Sequence, residues 1–188
     1  MKTNGGITLA KKVLVISTSI RGNSNSEKLA EAFADGAKAA GNEVELVSLK
    51  DKTIAFCKGC LACQQTGHCV IKDDANAITD KMQEADVIAW ATPIYYYEMS
   101  GQMKTMIDRA NSLFPKDYKF RDVYLLTAAA EDEPDVDEGA VHGLKGWIAC
   151  FEKARFAGNV CACGVGAPGE IKGNAKLAEA YEMGKGIV

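Results

Sequence analysis

Val13-Leu14-Val15-Ile16 runs directly into the polar stretch Ser17-Thr18-Ser19-Ile20-Arg21-Gly22-Asn23-Ser24-Asn25-Ser26. The four apolar residues are typical of a parallel strand that is buried on both faces. Residues 27–34 follow, and their apolar positions recur at helical spacing. The chain is therefore predicted to pass from a strand through a hydroxyl-rich loop into a helix. Because a helix N-terminus leaves backbone N–H groups unpaired, this loop is predicted to bind a phosphate group.

Strand-like and helix-like segments alternate along the rest of the chain. The predicted strands are 12–17, 43–49, 86–92, 123–128 and 156–165. The predicted helices are 26–40, 74–84, 100–110, 137–154 and 174–184. Such alternation implies an α/β fold, with a parallel sheet covered by helices on both faces. Five strands with a phosphate loop after the first favour the doubly wound, flavodoxin-like order 2-1-3-4-5. The loops after Ser17, Ala91 and Leu126 are then predicted to meet at the carboxyl edge of the sheet.

Size and charge narrow the classes of function. The chain has 188 residues and a formal net charge of −3. We predict a single domain over residues 1–188, with a loose leader at 1–11 and a cysteine-rich loop at 55–73. Scattered basic residues argue against nucleic-acid binding, and no apolar run reaches the roughly 18 residues of a membrane span. Without a secretory apolar core near Met1, a cytoplasmic location is predicted.

The first loop differs from other phosphate-binding loops. It lacks the Gly-Lys-Ser/Thr ending of a Walker A loop and the spaced glycines of a dinucleotide turn. It also lacks the acidic metal ligands that a phosphate-receiver domain would carry after its first strand. Hydroxyl, amide and guanidinium donors suit a terminal phosphate monoester held directly by protein, and FMN carries such a group. The alternative is an ordinary helix cap, which needs only one such residue.

A second loop, Thr92-Pro93-Ile94-Tyr95-Tyr96-Tyr97-Glu98-Met99-Ser100-Gly101, leaves the predicted central strand. Pro93 is suited to a turn, and Ser100 can cap the next helix. Three consecutive tyrosines are too many for one buried face, so at least one ring is expected to face a cleft where an isoalloxazine ring could pack. The alternative is that the rings cover a hydrophobic edge.

The two loops together resemble the NADPH-dependent FMN reductase family of flavodoxin-like proteins, especially its iron-sulfur flavoprotein branch. The family's phosphate loop commonly reads Gly-Ser-x-Arg-x-x-Gly-Asn-Thr. The matching residues here are Thr18, Ser19, Arg21, Ser24, Asn25 and Ser26, with Thr18 and Ser24 in place of two glycines. The second family motif is Ser/Thr-Pro-x-Tyr followed by Lys-x-x-x-Asp-Arg. Its residues here are Thr92, Pro93, Ile94, Tyr95, Lys104, Asp108 and Arg109.

The resemblance implies an FMN site with no catalytic side chain. It assigns the phosphate to Ser19, Arg21, Ser24, Asn25 and Ser26. It places the ribityl chain and ring beside Pro93, Ile94, Tyr95 and Tyr96. It places the polar ring edge beside the loop from Thr127 to Ala130, with Thr127 and Ala128 as its site residues. Lys104 and Asp108 are spaced for an ion pair on one helix, and Arg109 is assigned to a subunit contact.

Seven cysteines are present, and four are closely spaced: Cys57, Cys60, Cys63 and Cys69. Four thiolates at this spacing can hold a 4Fe-4S cluster, and the resemblance implies the same. Zinc is the alternative metal, because four cysteines also form a closed tetrahedral zinc site. Free or redox-active thiols without a metal are the third interpretation. His68 is interpreted as a loop residue. Cys150 is predicted to lie in the core, and Cys161 and Cys163 in a buried strand.

The resemblance implies an oxidoreductase that passes electrons from NADH or NADPH through FMN to a flavin, a quinone or another small acceptor. The alternative is an iron-sulfur flavoprotein that carries electrons and is reduced by ferredoxin. A second alternative is a non-enzymatic module in which the cysteines act as a thiol or zinc switch. The family also implies a homodimer or homotetramer.

Overall fold

Five long strands lie side by side in one parallel sheet of the computed structural model, which describes residues 9–188. The strands in chain order are β1 (Lys12–Ser17), β2 (Glu43–Ser48), β3 (Val87–Tyr95), β4 (Glu98–Met99), β5 (Asp122–Ala128) and β6 (Arg155–Ala162). The sheet order is β2-β1-β3-β5-β6, and the short β4 pairs antiparallel with the end of β3. The predicted flavodoxin-like order is therefore confirmed for the five long strands, and β4 is an addition.

Helices cover both faces of the sheet. They are α1 (Asn25–Ala39), α2 (Ala62–Thr66), α3 (Asp74–Glu84), α4 (Gly101–Arg109), a 3-10 turn (Ala110–Leu113), α5 (Glu138–Ile148) and α6 (Ala175–Lys185). Phe33 of α1 and Ala180 of α6 share a core with Val13 and Val15. The opposite face of the sheet packs against α3, α4 and α5. Alternate side chains of β1 thus enter two different cores, which is why the strand is apolar throughout.

Three capping side chains fix where the helices begin. Ser24 accepts from the N–H of Glu27 at α1, and Ser100 accepts from the N–H of Met103 at α4. Asp73 accepts from the N–H of Ala75 at α3. Because α1 and α4 follow β1 and the β3–β4 hairpin, their caps place two loops at the carboxyl edge of the sheet.

Two predicted boundaries are wrong near this edge. β3 continues through Pro93 to Tyr95 instead of ending at residue 92, because Ile94 and Tyr95 pair with β4. β6 ends at Ala162 and not at Val165. The chain leaves the sheet there, and the N–H of Gly164 donates to the carbonyl of Glu131.

The fourth predicted helix is also too long. α5 ends at Ile148, and the chain then turns so that Phe151 packs against Tyr118 and Phe120. This turn leaves Cys150 exposed, so its predicted core position is wrong. Cys161 and Cys163 are only half-buried, and Cys163 lies beyond the strand. The short helix α2 inside the cysteine-rich loop was not predicted.

Most of the predicted leader, residues 1–8, lies outside the described residues. Lys11, at its end, donates its backbone N–H to the side-chain oxygen of Asn42 at 3.0 Å, which joins it to the start of β2. Helices of sufficient length and apolarity to cross a bilayer are absent from residues 9–188.

Candidate functional site

A cleft of about 350 Å³ opens at the carboxyl edge of the sheet. Four segments meet there: the loop between β1 and α1, the β3–β4 hairpin, the residues after β5 and the residues after β6. The lining residues are Arg21, Ser24, Asn25, Ser26, Pro93, Ile94, Tyr95, Tyr96, Tyr97, Ala128, Ala130, Glu131, Val165 and Gly166. The first three segments are those predicted to meet, and the fourth was not predicted.

The loop between β1 and α1 presents hydrogen-bond donors to one end of the cleft. The hydroxyls of Ser24 and Ser26 lie 3.1 Å apart, and both residues are almost fully buried. Asn25 and Ser26 form the first turn of α1, where backbone N–H groups have no helical acceptor. The buried hydroxyl of Ser17, at the end of β1, has no partner among residues 9–188. Orphan donors at a helix N-terminus suit an anion.

Arg21 supplies the positive charge of the cleft. Its Nη1 donates to the carbonyl oxygen of Gly166 at 3.1 Å, and no carboxylate contacts its guanidinium within the described residues. Since a carbonyl leaves the charge uncompensated, the remaining N–H groups of Arg21 are available to an anionic ligand.

Asn25 and Ser19 differ from their predicted roles as side-chain donors. The amide nitrogen of Asn25 donates to the carbonyls of Val165 and Ala167, each at 2.9 Å, and its oxygen accepts from the N–H of Ile171. Asn25 therefore ties the segment after β6 to α1, and only its backbone N–H remains for a ligand. Ser19 is buried and accepts from the N–H of Arg21 at 3.3 Å.

A buried hydroxyl network joins the first two loops. Thr18 Oγ1 donates to the carbonyl of Ala91 at 2.9 Å, and it lies 3.1 Å from Ser100 Oγ. Ser100 in turn contacts Thr92 through both its hydroxyl and its N–H. The three side chains are fully buried, so the network holds the two loops in a fixed relation.

The three tyrosines lie on a tight hairpin beside the cleft. Tyr95 pairs with Glu98, and the two residues between them, Tyr96 and Tyr97, have φ values of 52° and 65°. Two positive φ values are typical of a type I′ turn, which normally carries Asn-Gly. All three rings are exposed, and Tyr96 is 98% exposed. A β-carbon at Gly139 would lie 2.4 Å from the Tyr97 carbonyl oxygen, so α5 supports this turn closely.

Replacing Tyr97 by glycine is expected to raise the free energy of unfolding by about 1 kcal/mol, because glycine adopts a positive φ without steric cost. Thermal or urea unfolding would measure the change. Tyr95→Gly is the matched control and is expected to lower stability, since Tyr95 lies in a strand. A loss of stability in both variants would contradict the strain assigned to the turn.

The segments after β5 and β6 complete the cleft. Ala128 lines it, but Thr127 faces away, and its hydroxyl donates to Asp137 Oδ2 at 2.7 Å. The predicted ligand position of Thr127 is therefore not at the cleft, because neighbouring residues of a strand point to opposite faces. Ala130, in the loop expected at the polar ring edge, lines the cleft, whereas Glu131, Val165 and Gly166 were missed. Gly164 and Gly166, which flank Val165 just beyond β6, are the sequence signal that could have indicated the fourth segment.

The four clustered cysteines lie between β2 and α3, and none of them lines the cleft. Cys57 and Cys60 are exposed, Cys69 is half-buried, and Cys63 is buried in α2. The amide of Asn111 donates to Cys63 Sγ at 3.3 Å. Within residues 9–188 no three side chains of the His, Cys, Asp or Glu types gather around one point. The four thiols fit a metal centre in chemistry and spacing, whereas the loop does not bring them together.

His68 contacts a carboxylate and not the cysteines. Its Nε2 lies 3.0 Å from Asp80 Oδ1 on α3, and both side chains are about half exposed. This contact agrees with the interpretation of His68 as a loop residue.

A buried ion pair anchors both ends of the cysteine loop. Arg109 donates from Nη1 and Nη2 to the two carboxylate oxygens of Asp73, at 2.6 and 2.8 Å. Its Nη1 also donates to the carbonyl of Ala55, and its Nη2 to that of Ile71. The Arg109 side chain is fully buried, so the predicted subunit contact is wrong. Lys104 and Asp108 form the predicted exposed ion pair at 2.6 Å.

The ion pair lowers the pKa of the Asp73 carboxylate. Burial alone would raise the pKa of Asp73, but the hydrogen bonds from Arg109 and from the N–H groups of Ala55 and Ala75 outweigh it and lower that pKa. The carboxylate therefore stays ionised at neutral pH, as a bidentate pair requires.

Comparison with known proteins relates the chain to one family. Residues 11–137 match the sequence profile described as NADPH-dependent FMN reductase. An iron-sulfur flavoprotein of Archaeoglobus fulgidus is 41% identical over 97 residues, covering 52% of this chain and 48% of the relative. One of Methanosarcina thermophila is 36% identical over 110 residues, covering 58% of each. An NAD(P)H dehydrogenase (quinone) of Archaeoglobus fulgidus is 30% identical over 107 residues, covering 55% of this chain and 53% of the relative. The chain matches about half the length of these curated relatives.

Solved structures share the fold across nearly the whole chain. An NAD(P)H:quinone oxidoreductase from Methanothermobacter marburgensis has a TM-score of 0.71 at 15% identity, covering 95% of this chain and 100% of that protein. An azoreductase from Bacillus anthracis has a TM-score of 0.68 at 18% identity, covering 93% of this chain and 99% of that protein. At such low identity the likeness shows the architecture of the sheet and helices.

Proposed function

Since the chain belongs to the NADPH-dependent FMN reductase family, we propose that it binds FMN in the cleft and transfers electrons from NADH or NADPH to a small acceptor. The observation that carries the proposal is the convergence of Arg21, the N-terminus of α1 and the tyrosine hairpin on one cleft. An anion-binding end beside an aromatic wall matches a phosphorylated flavin.

The phosphate end is assigned to the loop between β1 and α1. The N–H groups of Asn25 and Ser26 and the hydroxyls of Ser24 and Ser26 donate to the phosphate oxygens. Arg21 adds a charge-assisted hydrogen bond. Since none of these donors is a carboxylate that could hold a metal ion, the proposal places the phosphate directly on protein donors. The Thr18–Thr92–Ser100 network keeps this loop at a fixed separation from the ring-binding hairpin.

The ring end is assigned to the hairpin and to Ala128, the last residue of β5. Pro93, Ile94 and the three tyrosines line this end of the cleft together with Ala128, and they would hold the ring. Bound FMN would supply the two-electron transfer between a nicotinamide and the acceptor. The chain's own residues bind and orient the flavin and the two substrates, and none is assigned a proton transfer. We propose that the nicotinamide and the acceptor occupy the same open side of the ring in turn.

Acceptors of the quinone class, or a second flavin, fit this proposal, because a planar molecule can stack on an exposed aromatic wall. The relative named NAD(P)H dehydrogenase (quinone) supports this class. Assembly as a homodimer or homotetramer, with the exposed hairpin near a partner, and a cytoplasmic location stay predictions.

Titration of the apoprotein with FMN under anaerobic conditions tests the function. We expect saturation near one FMN per chain, and bleaching of the bound flavin's visible absorption on addition of NADPH or NADH. Addition of a quinone is then expected to restore the absorption. Flavin that binds but is bleached by neither nicotinamide would contradict the reductase assignment. Protein that takes up no FMN would favour the thiol or zinc switch module.

A second candidate function is electron transfer by an iron-sulfur flavoprotein. Two observations favour it: the Cys57-x2-Cys60-x2-Cys63-x5-Cys69 spacing, and several relatives that carry this name. Cys57, Cys60, Cys63 and Cys69 would hold the cluster. Asn111 already donates to one of these sulfurs, and hydrogen bonds to cluster sulfurs set the reduction potential. A ferredoxin would then be the proposed electron donor.

Replacing Cys60 by serine tests this candidate. Under this candidate, anaerobically purified wild-type protein contains about four iron and four sulfide per chain, and Cys60→Ser loses both while it keeps FMN. Iron and acid-labile sulfide assays measure the change. Cys150→Ser, which removes an exposed cysteine outside the loop, is the control and is expected to keep the iron. Wild-type protein without iron would rule this candidate out.

A further inference from the structure

Two cysteines meet at the end of β6. Cys161 lies in the strand and Cys163 follows just beyond it, whereas Ala162 between them enters the core formed with α1 and α6. Alternation along the strand therefore places both thiols on the α5 face. Their Sγ atoms are 2.7 Å apart. An S–S bond measures about 2.05 Å and a non-bonded contact between carbons about 3.5–4.0 Å, so the two sulfurs are close to bonding distance.

The backbone between the two cysteines permits a disulfide but does not favour a relaxed one. Two residues of extended strand span about 6.6 Å, near the upper end of the roughly 4.4–6.8 Å over which Cα atoms of a disulfide are found. Gly164, with a φ of 71°, follows Cys163 directly, at the point where the chain leaves the sheet. A disulfide here is expected to be strained, and strained disulfides are the readily reduced ones.

The surroundings make the two thiols unequal. Burial is the main cause that raises the pKa of Cys161 to about 12, followed by the hydrogen bond with Cys163 and the nearby Asp137 carboxylate. Asp137 is itself 5% exposed and accepts hydrogen bonds from Thr127 and Asn159. Cys161 thus keeps its proton, whereas Cys163 stands where the chain leaves the sheet, next to the exposed Gly164.

We propose that Cys161 and Cys163 form a redox-active dithiol–disulfide couple that exchanges with small thiols and disulfides: excess glutathione disulfide oxidises the dithiol, and glutathione reduces the strained disulfide again. The Cys163 thiolate attacks one sulfur of the external disulfide, forms a mixed disulfide and releases the other sulfur as a thiolate. Cys161 then attacks Cys163 Sγ and expels the second external thiolate, which takes up the Cys161 proton. In total, two protein thiols are oxidised to one intramolecular disulfide, and the external disulfide is reduced to two thiols.

The sequence allows a direct test of this chemistry. Trypsin cleaves after Arg155 and Lys172 and at no site between them, so one peptide contains both cysteines. After incubation of the protein with a large excess of glutathione disulfide and alkylation of the remaining thiols, this peptide is expected to carry no label and to have lost two hydrogens. Prior treatment with dithiothreitol is expected to restore two labels. A peptide that still carries both labels, while the exposed Cys150 has gained glutathione, would overturn the proposal.

Serine variants test the order of attack. Cys161→Ser is expected to trap glutathione on Cys163, because the second thiol is missing, whereas Cys163→Ser is expected to leave Cys161 unmodified. Cys150→Ser is the control and is expected to form the intramolecular disulfide as the wild type does. Trapping on Cys161 but not on Cys163 would contradict the assigned order. None of these readouts depends on bound flavin, so they test the dithiol independently of the proposed reductase activity.

Discussion

Replacing Arg109 by methionine is expected to lower the free energy of unfolding by about 3–5 kcal/mol, because the Asp73 carboxylate would remain buried without its partner. The side chains of Arg109 and Asp73 are 0% and 7% exposed, so water cannot take over the lost hydrogen bonds. Urea unfolding at neutral pH, followed by circular dichroism, measures the change. A loss below about 1 kcal/mol would show that the pair is no more than a surface contact.

Two further variants separate the ion pair from general effects of substitution. Lys104→Ala removes the neighbouring, exposed pair with Asp108 on the same helix and is expected to cost less than about 1 kcal/mol. Adding Asp73→Asn to the Arg109 variant removes the unpaired charge and is expected to recover part of the loss. The loss in the double variant is compared with the losses in Arg109→Met alone and in Asp73→Asn alone. A double-variant loss larger than their sum would contradict a favourable pairing.

Replacing Arg21 by alanine is expected to weaken FMN binding by about 1.5–3 kcal/mol, which corresponds to roughly 10- to 150-fold in the dissociation constant. The reason is the loss of a charge-assisted hydrogen bond to the phosphate. Fluorescence titration with FMN measures the constant. Titration with riboflavin, which has no phosphate, adds a second readout: its affinity is expected to change little in the same variant.

The matched control for Arg21 is Arg155→Ala, which removes the same charge from the amino end of β6, at the opposite edge of the sheet. It is expected to leave FMN affinity unchanged. Equal weakening by both substitutions would assign the effect to net charge instead of to a contact at the cleft. Unchanged affinity in the Arg21 variant would remove the phosphate from this loop.

Much of the sheet and its helices could be predicted because apolar runs, helical spacing and capping residues indicate the same elements. β1 and α3 begin and end at the predicted residues, since an apolar run and a capped amphipathic segment mark them. Ser100 was predicted as the cap of α4, and it is. The central position of β3 followed from its nearly continuous apolar sequence. The family resemblance, which rests on the two loops, is confirmed by the match over residues 11–137.

The remaining features depend on contacts between distant residues. Tyr96 and Tyr97 carry no turn signal, so the hairpin that lengthens β3 was not predicted. Thr127 was assigned to the cleft because its strand ends there, but the register of β5 turns its hydroxyl toward Asp137. The partner of Arg109 lies 36 residues earlier in the chain, and no local pattern reports such a pairing.

The cysteine loop is anchored separately from the sheet. Arg109 binds the backbone carbonyls of Ala55 and Ile71, so one side chain fixes both ends of the loop. Whatever stands between the two anchor points contributes little to the sheet, whose strands are paired without it. A change in the length or the thiols of the segment between Ala55 and Ile71 is therefore expected to leave the strand order and the cleft in place.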